Sequence, residues 1–271
     1  MYNNFFGLKE NPFNQTPDSS FFFPSTGHKS ALDALIYAIR QRKGFVVVTG
    51  EIGSGKTTVI RTLLRRLDTN VQCAVITNTH LSPKGVITLI LEDLGVVYKD
   101  GSKEKLIVQL NEFLINQIQK DKNVILLIDE AQNLSPACLE EVRMLSNLET
   151  EKEKLIQIIL IGQPELRRKL EMPSLEQLRQ RVSIHYHIQP LDFENMKSYI
   201  NHRLEKAKSN GKDMTKIFEE GAFKAIYQYS RGVPRVINNV CDHALLSGFI
   251  ADASVITETI AQEAIEAVAK I

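Results

Sequence analysis

The sequence has 271 residues, of which 43% are hydrophobic and 24% charged, so it can form one large globular domain or two smaller ones. Its net charge of +1 argues neither for nor against a nucleic-acid partner. No apolar run approaches the ~20 residues of a transmembrane helix, the N-terminus lacks a signal-peptide pattern, and the three cysteines lie far apart, so we predict a cytoplasmic protein without a transmembrane segment, disulfide or zinc site.

The first 27 residues combine several phenylalanines with prolines. Because disordered tails are poor in aromatic residues, we predict an irregular segment that packs onto the folded domain. A helix should follow over residues 28–43, where apolar side chains recur at a helical spacing. These side chains are Ala31, Leu32, Leu35, Ile36 and Ile39.

The next segment contains the most informative motif of the chain. Residues 50–57, with the sequence GEIGSGKT, match the phosphate-loop pattern G-x-x-x-x-G-K-[ST] at every fixed position. The apolar and β-branched residues 45–49 predict a buried strand before the motif, and residues 58–67 have the periodicity of an amphipathic helix after it. A strand, a glycine-rich loop and a helix in this order indicate nucleotide binding, whereas the alternative is a glycine-rich turn that binds nothing.

The residue types in this loop suit a triphosphate, ATP in our interpretation, together with Mg²⁺. Glycines allow the backbone N–H groups of residues 53–58 to point inward, at a helix N-terminus that favours anions. Lys56 would supply a positive charge to the β- and γ-phosphates, and the Thr57 hydroxyl would ligate Mg²⁺. The predicted nucleotide-binding residues of the loop are Gly50, Gly53, Ser54, Gly55, Lys56, Thr57 and Thr58.

A second nucleotide-site signature follows further along the chain, where an apolar strand over residues 124–128 runs into Asp129 and Glu130. Asp129 would bind Mg²⁺, and Glu130 would polarise the attacking water as a general base. The alternative is an exposed pair of solvated acids. The elements predicted between the two signatures are a strand over 72–77 and helices over 83–94 and 103–118.

Two further strands complete the predicted sheet, over residues 156–161 and 183–188. Gln163 follows the first of them, at the carboxyl end where parallel sheets bind ligands, and would orient the attacking water or sense the γ-phosphate; a turn-capping amide is the alternative. His185 and His187 alternate along the second strand, and a half-exposed strand explains them better than a metal site does. Helices are predicted over 136–148 and 175–181.

Strands stop after Pro190. Four helices are predicted in the remaining residues, and Thr257 is the predicted N-cap of the last one. We therefore predict an α/β domain over residues 1–190, with five parallel strands and flanking helices, and an all-helical subdomain over residues 191–271. The four helices are predicted over 193–207, 216–229, 234–249 and 257–269, with breaks at Gly211, Gly232 and Asp252.

Nearly the whole chain resembles the AAA+ ATPases of the ExeA/GspA secretion type. The phosphate loop alone is generic, whereas the opening and the late motifs together are specific to that family. The resemblance implies a P-loop AAA+ fold with a C-terminal helical lid. The motifs are Phe5-Phe6-Gly7, Asn11-Pro12-Phe13, Thr16-Pro17-Asp18, residues 50–58, Asp129-Glu130-Ala131-Gln132, Leu145-Ser146-Asn147-Leu148-Glu149-Thr150, Ile161-Gly162-Gln163-Pro164-Glu165-Leu166, Gly232-Val233-Pro234-Arg235 and Cys241-Asp242-His243-Ala244-Leu245-Leu246.

The resemblance also implies roles for residues outside the loop. Arg181 falls where the family has the arginine finger that reaches a neighbouring subunit's ATP, and Arg179 is the second candidate. Arg235 matches the sensor arginine of the lid, and Asn78 matches the polar switch that restrains the catalytic glutamate. Without the resemblance, each arginine would be interpreted as a surface charge. The implied catalytic set is Glu130, Lys56, Gln163, Arg181, Arg235 and Asn78.

An arginine finger that acts across subunits implies a homo-oligomer, a ring or a helical filament with ATP at its interfaces. The resemblance therefore implies an Mg²⁺-dependent ATPase that drives assembly of a secretion or pilus-type envelope complex. Long members of the family continue into a transmembrane helix and a peptidoglycan-binding domain, and this sequence ends at Ile271 without them. A second hypothesis therefore stays open, an ATP-dependent, DNA-binding regulator of transposition of the TnsC/TniB type.

A third hypothesis is a binding module that uses ATP as a switch and hardly turns it over. The combination of Glu130, Gln163 and Arg181 disfavours it. DNA as a partner receives no support from the net charge, and the basic clusters at residues 61–66 and 167–169 are typical of solvated helix faces.

Overall fold

The computed structural model describes residues 2–16, 18–151, 153–209 and 214–270, so Pro17 and the predicted helix break at Gly211 lie outside the described residues. The chain divides into two compact units. We call them the sheet unit, formed by Ser30–Gly50 and Thr62–Ile188, and the helical unit, formed by Met1–Lys29, Glu51–Arg61 and Gln189–Ile271. The division into domains at residue 190 stays a prediction.

The sheet unit contains a five-stranded sheet in the order β2-β3-β4-β1-β5, and every pairing in it is parallel. This confirms the predicted α/β fold with five parallel strands, and the observed strand bounds differ from the predicted ones by one residue. The strands are β1 (Phe45–Gly50), β2 (Val71–Ile76), β3 (Asn123–Ile128), β4 (Gln157–Gly162) and β5 (Ile184–Ile188).

Burial explains why these segments form the inner strands. β1 and β4 are buried over their whole length, which is the environment that continuous runs of valine, isoleucine and leucine favour. Each such side chain contributes about 1.5–3 kcal/mol when it is fully buried. β4 pairs with β3 on one side and with β1 on the other, so the chain segments that follow these three strands leave from the same edge of the sheet.

Helices of the sheet unit pack on the sheet through one large apolar core. Ser82 and Ser135 cap two of them, since each side chain accepts a hydrogen bond from the backbone N–H three residues on. The helices are α4 (Pro83–Asp93), α5 (Lys103–Gln119), α6 (Pro136–Leu145), α7 (Pro164–Leu170) and α8 (Glu176–Arg181), while α2 (Thr26–Arg40) and α3 (Lys56–Arg66) each begin in the helical unit and end in the sheet unit.

The helical unit has its own apolar core, to which the N-terminal phenylalanines Phe6, Phe13 and Phe21 contribute. The predicted packing of the N-terminal segment is therefore confirmed. Among the described residues, no helix combines the length and apolarity that crossing a membrane requires. The helices of this unit are α1 (Tyr2–Phe6), α9 (Phe193–Ala207), α10 (Glu220–Ser230), α11 (Pro234–Ile250) and α12 (Glu258–Ala269).

A buried arginine ties the N-terminal segment to α9. The Arg203 side chain donates hydrogen bonds to the carbonyl of Pro12 at 2.5 Å, to the carbonyl of Asn14 at 3.2 Å and to the Tyr199 hydroxyl at 2.8 Å. Its guanidinium also lies over the Phe21 ring, 5.0 Å from the centroid. Because a buried charge is costly unless it is hydrogen-bonded, these contacts hold residues 12–14 against α9.

Several details of the predicted elements are wrong. The helix predicted over 28–43 spans Thr26–Arg40, and α7 was not predicted. Residues 2–6 form a short helix within the segment predicted to be irregular. The helix predicted to start at residue 216 starts at Glu220, because Phe218 pairs with Ile256 in a β-bridge instead. The helix predicted to reach residue 148 ends at Leu145, where the Ser146 hydroxyl bonds the Arg143 carbonyl. The predicted Thr257 cap is confirmed, since its side chain accepts from the Ile260 N–H.

Candidate active site

The phosphate-loop motif forms the tight turn that its glycines predict. β1 ends at Gly50 and α3 begins at Lys56. Gly53 and Gly55 have φ angles of 76° and 92°, in the left-handed region that side chains disfavour. The sequence therefore needs glycine at both positions to turn from strand to helix within five residues.

Neighbours within the helical unit fill the space where side chains on these glycines would lie. A Cβ on Gly53 would be 2.5 Å from the Cβ of Arg235, and the Arg235 backbone N–H donates to the Gly53 carbonyl at 3.2 Å. The predicted sensor residue thus lies at the first turn of α11, beside the loop, with an exposed side chain. A Cβ on Gly55 would be 2.7 Å from the Nε2 of His28, a residue that the sequence analysis did not select.

Lys56 is buried although it carries a charge, with 6% of its surface exposed. Its Nζ donates to the carbonyl of Glu51 at 2.9 Å, so it curls back over its own loop. The Ser54 hydroxyl is also buried and has no hydrogen-bond partner among the described residues. The loop therefore offers three kinds of donor: the buried Lys56 ammonium, the Ser54 hydroxyl and backbone N–H groups. Phosphate oxygens are suitable acceptors for all three.

The acid pair lies at the carboxyl end of β3. Asp129 is 7% exposed, its N–H donates to the Ile76 carbonyl at 2.9 Å, and its Oδ1 accepts from the Glu130 N–H at 2.9 Å. Glu130 has a φ of 51°, an unusual backbone conformation for a residue with a side chain. Such strained positions cluster at functional sites, and this one supports the interpretation of the pair as functional.

Two glutamines bind the Glu130 carboxylate. The side-chain amides of Gln132 and Gln163 both donate to its Oε2, at 2.5 and 3.0 Å. The Gln163 backbone N–H in turn donates to the Gln132 Oε1 at 3.1 Å, which closes a three-residue network. A Cβ on Gly162 would lie 2.7 Å from that Oε1, so the network requires glycine there.

Gln132 belongs to the family motif Asp129-Glu130-Ala131-Gln132 but was not among the predicted site residues. Its place in that motif, two residues after Glu130, could have identified it. Lys169 supports its backbone by donating to the carbonyls of Gln132 at 2.5 Å and Leu134 at 2.8 Å. One residue of the basic cluster at 167–169 is therefore engaged in holding the loop after Glu130, rather than being a solvated charge.

Asn78 does not contact this network in the structure. It lies two residues beyond β2, is exposed, and accepts a hydrogen bond from the His80 N–H at 3.3 Å. Its role as a polar switch stays a prediction.

The two candidate arginine fingers differ in their surroundings. The Arg181 Nη1 donates to the Ser146 hydroxyl at 2.8 Å, and Arg143 and, more weakly, Arg181 lower the pKa of Glu140. The side chain of Arg179 is exposed. Both residues lie in the last turn of α8, and their role across a subunit interface stays a prediction.

His185 and His187 both lie within hydrogen-bond distance of the Thr49 hydroxyl, at 3.2 and 2.9 Å. Burial and the nearby Arg167 lower the pKa of His185. In the part of the chain that the structure describes, no group of three or more histidine, cysteine, aspartate or glutamate side chains is arranged to bind a metal. The Thr57 hydroxyl and the Asp129 carboxylate are oxygen ligands of the type that Mg²⁺ prefers, and their role as magnesium ligands stays a prediction.

Comparison with known proteins places the chain in a family. Residues 39–170 match the family model of an AAA domain. Over 250 residues the chain is 39% identical to general secretion pathway protein A of Aeromonas hydrophila. That alignment covers 92% of this chain and 45% of the relative, so the chain spans about half the length of the relative.

The solved structures with a similar fold include an ORC2 protein and a Holliday junction branch migration motor. The Aeropyrum pernix ORC2 protein, in ADPNP–ADP complexes, has a TM-score of 0.67 at 12% identity, covering 95% of this chain and 71% of that one. The Thermotoga maritima RuvB Holliday junction branch migration motor has a TM-score of 0.58 at 20% identity, covering 90% and 69%. The fold, the loop and the curated relative together confirm the predicted resemblance: the chain belongs to the AAA+ ATPases and is related to general secretion pathway protein A.

Proposed function

We propose that this protein is an Mg²⁺-dependent ATPase that oligomerises with ATP at its subunit interfaces and drives assembly of a secretion or pilus-type envelope complex. The observation that carries the ATPase proposal is the sheet topology. β1 and β3 belong to one parallel sheet, the phosphate loop continues β1, and the acid pair continues β3. Both signatures therefore leave the sheet at the edge where parallel α/β sheets bind ligands.

The loop supplies the binding half of the proposal. The Ser54 N–H donates to the Glu51 carbonyl at 3.0 Å, and the other backbone N–H groups of residues 53–58 donate to phosphate oxygens in this proposal. Lys56 leaves the Glu51 carbonyl to meet the β- and γ-phosphates. The bond from the buried Lys56 to the Glu51 carbonyl has a neutral acceptor, whereas a bond to a phosphate oxygen has a charged acceptor and is stronger. Thr57 and Asp129 would hold Mg²⁺, which when bound neutralises negative charge on the phosphates.

Glu130 supplies the catalytic half. A water oxygen attacks the γ-phosphorus, the bond from phosphorus to the β–γ bridging oxygen breaks, and a Glu130 carboxylate oxygen accepts the proton that the water loses. The products are ADP and phosphate. Gln132 and Gln163 both donate to the same oxygen of this carboxylate, Oε2, so the proton goes to the other oxygen or follows the release of the amides.

This arrangement suggests how turnover depends on ATP. We propose that the Gln163 amide exchanges Glu130 for the γ-phosphate when ATP binds, and so removes one of the two donors from Oε2 when a substrate is present. Gln163 follows β4, which lies between β3 and β1 in the sheet, so its position supports contact with either group.

Oligomerisation and the secretion role rest on the relative and on the resemblance. Arg181 would stabilise transition-state charge at a neighbouring subunit's ATP, and Arg235 would contact the γ-phosphate of its own subunit. The exposed Arg235 side chain on a helix whose backbone already contacts the loop supports the second role. The relative's name supports a secretion component as the partner, and we place the protein in the cytoplasm, where ATP is available.

We prefer the secretion proposal to the hypothesis of a DNA-binding transposition regulator. The net charge is +1, and Lys169 of one basic cluster bonds backbone carbonyls. A gel shift with duplex DNA and a non-hydrolysable ATP analogue separates the two hypotheses. Salt-sensitive binding that requires nucleotide would favour the transposition regulator, and no binding at low salt would remove it.

The ATPase proposal is tested by Lys56→Ala. We expect the variant to lose measurable binding of Mg·ATP in isothermal titration calorimetry and to lose phosphate release, because the charge that compensates the phosphates is gone. Lys122→Ala is the matched control, since Lys122 is exposed and far from the loop in sequence. Unchanged affinity in Lys56→Ala would refute the loop assignment, and wild-type protein that stays monomeric with ATP by light scattering would refute the oligomer.

A further inference from the structure

We infer that His28 is a positioning residue for the phosphate loop, which it orients from outside through the Ser54 carbonyl. His28 lies in the first turn of α2, outside the segment that matches the family model. The inference rests on the proposed nucleotide binding and names a residue that sets the geometry of that site.

The His28 imidazole is almost completely enclosed, with 6% of the residue exposed. Both ring nitrogens are engaged: Nδ1 lies 2.6 Å from the Ser25 hydroxyl and Nε2 lies 2.7 Å from the Ser54 carbonyl oxygen. The Phe22 ring packs edge-on against it, with centroids 6.4 Å apart. A side chain held at two points in a closed pocket has a fixed orientation.

The chemistry of these partners determines the tautomer. A carbonyl only accepts, so Nε2 carries the proton and donates to Ser54. Nδ1 is then an acceptor, and the Ser25 hydroxyl must donate to it. The same hydroxyl accepts from the His28 backbone N–H at 3.3 Å, which is the geometry of a helix N-cap. Burial lowers the pKa of His28 from its ordinary value of 6.5, with the Ser54 bond opposing the shift, so the neutral ring that this relay requires is the favoured form at pH 7.5.

The bond to Ser54 has a consequence on the other side of the peptide. In a trans peptide the carbonyl and the following N–H point in opposite directions. Holding the Ser54 carbonyl toward His28 therefore directs the Gly55 N–H away from His28. That N–H has no hydrogen-bond partner among the described residues, while the Gly55 carbonyl already accepts the first bond of α3 from Val59. His28 thus presets one of the donors that a phosphate-loop backbone offers to the diphosphate.

Gly55 shows how closely the phosphate loop packs against His28 at the start of α2. The space on its Cα where a side chain would start is occupied by His28 Nε2. If the ring were lost, the peptide between Ser54 and Gly55 would be free to rotate, since glycine permits either orientation. We therefore expect the loop to form without His28 but to direct the Gly55 N–H toward the phosphates in only a fraction of the molecules. The apparent nucleotide affinity then falls in proportion to that fraction.

Four variants test the inference. His28→Phe keeps an aromatic ring and removes both hydrogen bonds. His28→Gln keeps one N–H donor and one acceptor and serves as the rescue variant. Ser25→Ala removes the hydroxyl that fixes the tautomer. His243→Phe is the matched control, because the His243 ring bonds the carbonyl of Asn239 on its own helix.

Calorimetry with Mg·ADP and with AMP measures the effect. We expect His28→Phe to bind ADP about tenfold more weakly, as for one lost charge-assisted hydrogen bond, and AMP within about twofold of wild type, because AMP has no β-phosphate. Ser25→Ala should lose about threefold for ADP, while His28→Gln and His243→Phe should stay within threefold of wild type. Long-range ¹H–¹⁵N spectra of the nucleotide-free protein should show His28 protonated at Nε2 only.

The outcomes separate this inference from the proposed function. If the wild-type chain binds no ADP, the nucleotide site fails and the positioning role fails with it. If wild type binds ADP and a folded His28→Phe variant binds it equally well, only the positioning role fails. An equal loss for ADP and AMP would indicate a general structural role and overturn the inference, as would a ring protonated at Nδ1. Should His28→Phe not fold, Ser25→Ala and the spectra decide.

Discussion

The phosphate loop and the end of the acid strand are held in place in different ways. Around the loop, the hydrogen bonds converge on backbone carbonyls: His28 bonds Ser54, the Arg235 N–H bonds Gly53, and Lys56 bonds Glu51. After β3, side chains bond to a side chain, since Gln132 and Gln163 both donate to the Glu130 carboxylate.

This difference suggests a division of labour. Contacts to a backbone fix the direction of peptide groups, and a turn of glycines at positive φ has few other conformations that keep the same contacts. Amide side chains on a carboxylate can rotate to other partners without moving the backbone. We therefore expect substitutions around the loop, which we call the binding side, to change nucleotide affinity. Substitutions around Glu130, which we call the turnover side, should change the rate of turnover and leave the affinity unchanged.

The strongest test on the turnover side is Glu130→Gln. Removing the general base should lower kcat by roughly 10³- to 10⁴-fold, while the isosteric amide leaves the affinity for Mg·ATP within a few-fold of wild type. Single-turnover phosphate release and calorimetry measure the two quantities. Glu151→Gln, an exposed acid on the loop after α6, is the control. Retained hydrolysis would mean that another group takes the proton.

Much of the turnover side was predictable from the sequence because it consists of local patterns. A continuous apolar run must be buried, it must end before the first charged residue, and Asp129 and Glu130 therefore had to lie at a strand end. The sheet strands were predicted within one residue for the same reason. The network around Glu130 was not predictable, because it depends on Gln163, which follows β4, and on the space that Gly162 leaves for Gln132.

Arg181→Ala tests whether a residue supplied by another subunit belongs to the turnover side. We expect kcat to fall by about 10³-fold, at the lower end of the range for arginine fingers, with ATP affinity retained. Mixing the variant with Lys56→Ala should restore part of the activity, because the second protein contributes an intact finger. Arg168→Ala, an exposed arginine on α7, is the control. If Arg179→Ala shows the loss and Arg181→Ala does not, the finger is Arg179.

On the binding side, Gly55→Ala should break the loop where it is tightest. A Cβ would lie 2.7 Å from His28 Nε2, and φ is +92°. The strain of about 2 kcal/mol corresponds to a loss of about 30-fold in ADP affinity if binding requires the native turn. Gly27→Ala is the matched control, since a Cβ there would meet nothing within 4 Å. A folded Gly55→Ala variant with normal affinity would contradict the idea that the loop is preformed.

The helical unit shows why the binding side was harder to derive. His28 and Ser54 are 26 residues apart, and no local pattern links a histidine in one helix to a carbonyl in a later loop. The start of α10 was wrong for a similar reason, because the bridge from Phe218 to Ile256 joins segments that are distant in sequence. Periodicity predicts which face of a segment is buried, but not which of two competing partners its backbone takes.

The smallest expected effect separates the two regions most sharply, because Gln132 belongs to the network around Glu130 and is not part of the phosphate loop. Gln132→Ala removes one of the two amides on Glu130 and the acceptor for the Gln163 N–H. We expect kcat to change by about fivefold, as for one hydrogen bond of about 1 kcal/mol, with KM for ATP unchanged. Gln119→Ala, at the exposed end of α5, is the control. A lower kcat would mean that Gln132 orients the base for the attacking water, whereas a higher kcat would mean that it restrains the base in the absence of substrate. A change in KM alone would contradict the division between the two regions, since it would show that the glutamine network governs binding.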